Sequence, residues 1–162
     1  MKKYILIAAL LVAMLSLIGC DMINNILPDK SATIGDKVED NKDQTVREGA
    51  EITFVSCTQT SLTVRIDNGT DSTWQSGNMR DYRLEAEKDG EWYEVKQIGE
   101  YANTMELMLF APGQSLTHTF EFADRYGTLP AGTYRIVKSF WANATATAEA
   151  HELILACQFT VE

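Results

Sequence analysis

The sequence predicts an all-β domain, an antiparallel β-sandwich of seven to eight strands spanning residues 50–162. Three observations carry that reading. Apolar side chains recur at every second position in short runs. Turn-forming pairs such as Asn68–Gly69 and Asp89–Gly90 separate those runs at sandwich-like intervals. No segment repeats its apolar residues convincingly at helical spacing.

The elements follow in chain order. Ile52 opens the pattern with a strand that carries Cys57. Leu62, Val64 and Ile66 then alternate with Thr63, Arg65 and Asp67, giving one apolar and one polar face. Asn68–Gly69 turns the chain and leaves Trp74 in a polar loop. Tyr82, Leu84 and Ala86 alternate with Arg83, Glu85 and Glu87, which places Glu85 and Glu87 on a solvent face. Asp89–Gly90 is a hairpin turn, and the return strand from Glu91 to Ile98 carries Trp92 and Tyr93. Met105 to Phe110 is a further strand, stopped by Ala111–Pro112–Gly113. In the next, Leu116, His118, Phe120 and Phe122 share one face. Pro130 presets φ and Gly132 permits positive φ, so the chain turns sharply into a strand from Thr133 to Trp141. Residues Ala142 to Ala150 read as a loop. The last strand sets His151, Leu153, Leu155, Cys157, Phe159 and Val161 in phase.

The N-terminal end reads differently. Met1–Lys2–Lys3 is a positive start, Tyr4 to Leu17 is almost unbroken apolar sequence, and Leu17–Ile18–Gly19–Cys20 closes it. A membrane-spanning helix needs about 20 apolar residues, and the polar residues from Asp21 onward stop this one too early. The closing four residues resemble the lipobox of bacterial lipoproteins. That resemblance implies a signal peptide over residues 1–19, cleavage before Cys20 and diacylglycerol on the Cys20 sulfur. Two or three acyl chains anchor a protein stably where one does not. The expected address is the extracytoplasmic face of the cell membrane; in a host with two membranes, Asp21 favours the inner one. Residues 20–49 lack periodicity, and the polar run from Gly35 to Asp43 cannot offset its ordering entropy by burial. They read as a flexible tether reaching roughly 30 Å.

Composition limits the partners. Setting aside Lys2 and Lys3 leaves 12 basic against 23 acidic residues, a net charge of −11. Such a chain repels nucleic acid and anionic head groups. Acidity of this kind keeps an exported domain soluble.

Several stretches resemble the bacterial immunoglobulin-like (Ig-like) domain common in Gram-positive lipoproteins. They are Leu62 to Asn68, Tyr82–Arg83–Leu84–Glu85, Asp89 to Val95, Ala111 to Ser115 and, most specifically, Tyr126 to Lys138. The resemblance covers about Ile52 to Val161. It implies an Ig-like sandwich of unassigned biochemical role and brings no catalytic residues. Within it, Tyr134 is placed like the tyrosine corner of Ig folds, whose hydroxyl bonds back to the turn backbone. Pro130, Gly132 and Tyr134 are therefore structural. Ile136 falls where antibody domains carry their second cysteine, so apolar packing replaces a disulfide there.

Candidate chemistry is sparse. Cys57 and Cys157 sit in the first and last strands, which commonly lie side by side in Ig-like sandwiches. Outside the cytoplasm a bridge between them is permitted, and two independent buried thiols is the other reading. A catalytic thiol finds no patterned His or basic residue. His118 and His151 both fall on apolar phases, and His118 with Met105 or Met108 fits no recognised metal-ligand spacing. Glu85 and Glu87 read as a solvated face rather than a glycosidase pair. No metal and no cofactor is expected. Asn68–Gly69–Thr70 and Asn143–Ala144–Thr145 match glycosylation sequons by coincidence. The aromatics Trp74, Trp92, Tyr93 and Trp141 are candidates for ligand contact at one end of the sandwich, against the simpler reading that Trp92 and Trp141 cap the core.

The leading expectation is a non-enzymatic binding module displayed at the envelope for contact with proteins or cell-wall glycans. Two alternatives accompany it. The segment Leu62 to Val95 and the Pro112–Gly113 turn loosely resemble Ig-like proteinase inhibitors of bacilli, which need a projecting loop. An envelope enzyme requires carboxylates or histidines brought together by folding.

Overall fold

The structure is a computed structural model that describes residues 31–39, 48–99, 106–146 and 148–162. The signal segment, Cys20, Asp21 and Met105 lie outside the described residues. Among the described residues there are ten strands: β1 (Ile34–Lys37), β2 (Ala50–Cys57), β3 (Ser61–Asn68), β4 (Trp74–Ser76), β5 (Arg83–Lys88), β6 (Glu91–Val95), β7 (Met108–Phe110), β8 (Ser115–Glu121), β9 (Gly132–Ala142) and β10 (His151–Val161). One short helix, α1 (Ala123–Tyr126), lies between β8 and β9.

These strands form two antiparallel sheets, the architecture expected for an Ig-like sandwich. In the larger sheet β10 pairs along the whole of β9, from His151 opposite Ala142 to Val161 opposite Gly132. The other side of β9 is shared. Its first half pairs with β5, which leads on to β6 and β1; its end pairs with β4, which leads on to β7. The smaller sheet is β2–β3–β8.

Period-two alternation explains the core between them. Leu62, Val64 and Ile66 of β3 and Phe120 of β8 meet Leu84 of β5, Ile136 and Phe140 of β9, and Leu153 and Leu155 of β10. Each such side chain contributes about 1.5–3 kcal/mol when buried.

Two strands were not legible. Ile34–Lys37 falls inside the predicted tether, yet Ile34 pairs with Val95 and Lys37 with Tyr93. Lys96 N donates to Thr33 O at 2.8 Å, Val38 N to Trp92 O at 2.8 Å, and Lys37 pairs with Glu91 at 3.1 Å. A Cβ on Gly35 would lie 3.1 Å from Glu94 O, so β1 lies close against β6. The predicted boundary at residue 50 is therefore corrected: the folded body includes Ser31–Val38. An exposed edge strand is held by backbone bonds and needs no apolar pattern, which is why its polar composition misled.

Trp74 is the second correction. It starts β4, a strand of three residues, and is fully buried. Its ring lies 5.6 Å from that of Phe140, and its indole N–H donates to Thr70 Oγ1 at 3.1 Å.

The turns follow their residues, with one exception. Asp89 (φ 55°) and Gly90 (φ 79°) form the tight hairpin between β5 and β6. Tyr134 Oη donates to Pro130 O at 2.8 Å, closing a tyrosine corner. Gly132, however, is not among the glycines with positive φ; that role falls to Gly127 (φ 81°), which ends α1. The Tyr134 ring lies over Gly132, with its nearest atom 3.5 Å from where a Cβ would stand.

Candidate functional site

The outward face of the larger sheet carries a row of mixed apolar and polar side chains across four strands. Trp141 of β9 lies opposite Gln75 of β4 on one side and Glu152 of β10 on the other; Gln75 lies opposite Leu109 of β7. Four adjacent strands at about 4.8 Å spacing thus present Leu109, Gln75, Trp141 and Glu152 across roughly 14 Å. Leu109 is 56% exposed and Trp141 50%. Leu107, two residues before Leu109, is 67% exposed. Gln75 is held in place, its amide donating to Asn143 Oδ1 at 2.7 Å.

The proposed aromatic cluster does not form. Trp74 is in the core. Trp92 is half-buried on β6, with the Arg135 guanidinium 4.2 Å from its ring centroid. Arg135 and Trp141 are six residues apart on β9, or about 20 Å along the strand, so Trp92 and Trp141 share no platform. Tyr93, also half-buried, pairs with the core residue Ala86 and takes the opposite phase from Trp92.

Glu85 departs from its predicted solvent face. Its carboxylate is completely buried, accepting from Arg83 Nε at 2.7 Å and Arg135 Nε at 2.5 Å. Arg135 in turn lies against Trp92. Glu87, two residues on, is exposed as expected. The strand phase is right; the cover comes from β6 and β9, which the local pattern does not display. A buried carboxylate shared by two guanidiniums is an ion-paired structural element.

The cysteines are free thiols and the anticipated bridge is absent. Cys57 Sγ donates to Thr160 O at 3.2 Å, three residues beyond Cys157. At about 3.3 Å per residue that offset is roughly 10 Å, too far for a disulfide. Burial raises the pKa of both thiols, Cys157 to about 11, and Glu162 adds to the effect at Cys57. Protonated thiols of this kind are poor nucleophiles.

His118 and His151 do not meet in a catalytic arrangement. His151 Nδ1 lies 2.9 Å from Glu149 O near the start of β10. His118, on the core phase of β8 opposite Val64, sets its ring edge-on to Phe120 at 4.7 Å. Burial, reinforced by the Lys138 ammonium, lowers its pKa below the ordinary histidine value. His118, Met108 and Met79 line one cleft of about 440 Å³. Met79 carried no signal in the sequence, since it lies in a loop without periodicity. Among the described residues no group of three or more His, Cys, Asp or Glu is arranged to hold a metal ion.

The Asn68 sequon is structural. Its side chain is 1% exposed, donating to Ser72 O at 2.8 Å and Phe110 O at 3.0 Å and accepting from Thr70 Oγ1 at 2.7 Å. The Pro112–Gly113 turn, one of the stretches behind the proteinase-inhibitor resemblance, is tied back to it: Gly113 N donates to Asn68 O at 2.7 Å.

No match was found among curated proteins or among solved structures. Family comparison does give a match, to a bacterial Ig-like domain over residues 45–152, about two thirds of the chain. That family is typically non-catalytic and suggests a binding or interaction module. With its two antiparallel sheets and its tyrosine corner, this chain belongs to the bacterial Ig-like domain family.

Proposed function

We propose that the chain is a lipid-anchored, extracytoplasmic Ig-like module that binds another envelope protein through the outward face of its larger sheet. The observation that carries this reading is the row Leu109–Gln75–Trp141–Glu152. A leucine and a tryptophan, each at least half exposed, lie on one four-strand surface, and the exposed Leu107 immediately precedes β7. Tryptophan with apolar neighbours and a polar rim is the composition of a protein-contact centre. An exposed leucine on the same face as the tryptophan favours a protein partner over a cell-wall glycan. The lipobox-like Leu17–Ile18–Gly19–Cys20 supports the address.

The test uses the full-length chain and the isolated cell envelope. Leu109→Glu and Trp141→Ser are expected to weaken envelope binding about tenfold or more, while leaving the melting temperature unchanged because both side chains are half exposed. Unchanged binding in both variants overturns the proposed surface. For the address, Cys20→Ala is expected to abolish palmitate labelling and release the protein from membranes; a variant that stays membrane-bound contradicts the anchor.

A further inference from the structure

Away from the outward row, the cleft bounded by β7, β8 and the segment between β4 and β5 holds an unusual set of donors. Met79 from that segment, Met108 from β7 and His118 from β8 all line it. We propose that Met79, Met108 and His118 bind a soft monovalent metal ion, copper(I) or silver(I), in this cleft. The site is independent of the proposed protein-contact surface and goes beyond it.

Thioethers and imidazole together are a soft donor set. The two thioethers select copper(I) over calcium and magnesium, which take oxygen ligands, and over zinc, which accepts an imidazole but takes thiolate, further imidazole or carboxylate in place of thioether. No atom of the described residues hydrogen-bonds the His118 ring nitrogens; its contact is the edge-on packing against Phe120. Leu116 and Phe120 form apolar parts of the wall, which disfavour strongly hydrated ions.

Charge narrows the choice further. The Lys138 ammonium acts on His118 through space and repels any cation there. A divalent ion feels twice the repulsion of a monovalent one. Arg80 also lines the cleft and adds to that field, while Glu106 and Glu121 line it and offset the two cations. The balance favours a single positive charge.

Silver(I), which does not change oxidation state, is the probe. The full-length chain, carrying methyl-labelled methionine, is titrated with silver nitrate in a Cys57→Ser background and followed by NMR. The methyl signals of Met79 and Met108 and the ring signals of His118 are expected to shift together and saturate at one ion per chain. The double variant Met79→Leu/Met108→Leu conserves volume and retains the fold; it is expected to weaken silver binding roughly tenfold or more. His118→Gln tests the imidazole separately and is expected to weaken it likewise. Silver that leaves these three residues unshifted overturns the site. So does unchanged affinity in the double variant, or zinc(II) binding at the same residues as tightly as silver.

Discussion

Lys138 is the most informative single perturbation in the fold. It occupies a core-facing position of β9 between Ile136 and Phe140 and is 1% exposed. Its ammonium donates to Asp81 O at 2.9 Å and Asn78 O at 3.2 Å and lies 5.6 Å from the Phe140 ring centroid. Burial lowers its pKa from 10.5 to about 8, with the Asp81 carboxylate opposing the shift. The folded chain therefore releases this proton near pH 8, whereas the unfolded chain keeps it to about pH 10.5. Between those values the unfolded state binds more protons, so stability rises with pH. The whole window is worth about 3 kcal/mol.

Cys157 acts in the opposite sense. Its thiol is raised from 9.0 to about 11, so the unfolded state ionises first and stability falls with pH across that range. Tyr126 and Tyr134, both raised by burial, add to that fall at higher pH. Lys138→Met separates the effects. Methionine is unbranched and fits an irregular core, and the cysteine and tyrosine contributions cancel in the difference between the two proteins. The Asn78 and Asp81 carbonyls lose a donor, at about 1–3 kcal/mol each, but that loss does not depend on pH. Guanidinium unfolding of wild type and variant is run at steps from pH 7 to 10.5. The stability difference, wild type minus variant, is expected to rise by about 3 kcal/mol across the series. A difference that stays flat refutes the placement of a charged lysine in the core.

Three further outcomes follow from the same packing. Asn68→Ala strips donors from Ser72 O and Phe110 O, and is expected to cost about 2–4 kcal/mol in denaturant unfolding; a loss below ~1 kcal/mol contradicts the hub. Glu85→Ala leaves Arg135 buried without its carboxylate and is expected to destabilise by about 3–5 kcal/mol, whereas Glu87→Ala on the exposed neighbour is expected to be nearly silent; equal effects contradict the covered ion pair. Because Cys57 and Cys157 are free, dithiothreitol is expected to leave the melting temperature unchanged; a fall on reduction contradicts the separate thiols.

Legibility in the sequence followed how much of each element's environment was local. Leu62–Val64–Ile66 and the apolar phases of β8 and β10 were readable because one face of each turns toward the core, fully buried in β3 and partly so in β8. The hairpin at Asp89–Gly90 was readable because its backbone conformation selects its residues. β1 and β4 were not, since strands of four and three residues carry too little periodicity and are defined by their partners. Glu85 was assigned the correct face, but the Arg135 that pairs with it comes from β9, and the Trp92 against that guanidinium from β6. Among the candidate contact residues, Trp141 was visible as an aromatic near a loop. Its neighbours Gln75 and Leu109 became visible only through the pairing of β9 with β4 and β4 with β7. Met79 reaches the His118 cleft from an irregular segment and left no pattern to read.

The central claim, that this sandwich meets its partner through the β7–β4–β9–β10 face, is tested most directly by photocrosslinking in living cells. A benzophenone amino acid is placed at position 141 on that face, or at exposed position 117 on the outer side of β8. The account predicts a discrete adduct to one envelope protein from position 141, lost when Leu109→Glu is added, and none from position 117. An adduct from position 117 alone, or one from position 141 that Leu109→Glu leaves intact, contradicts it.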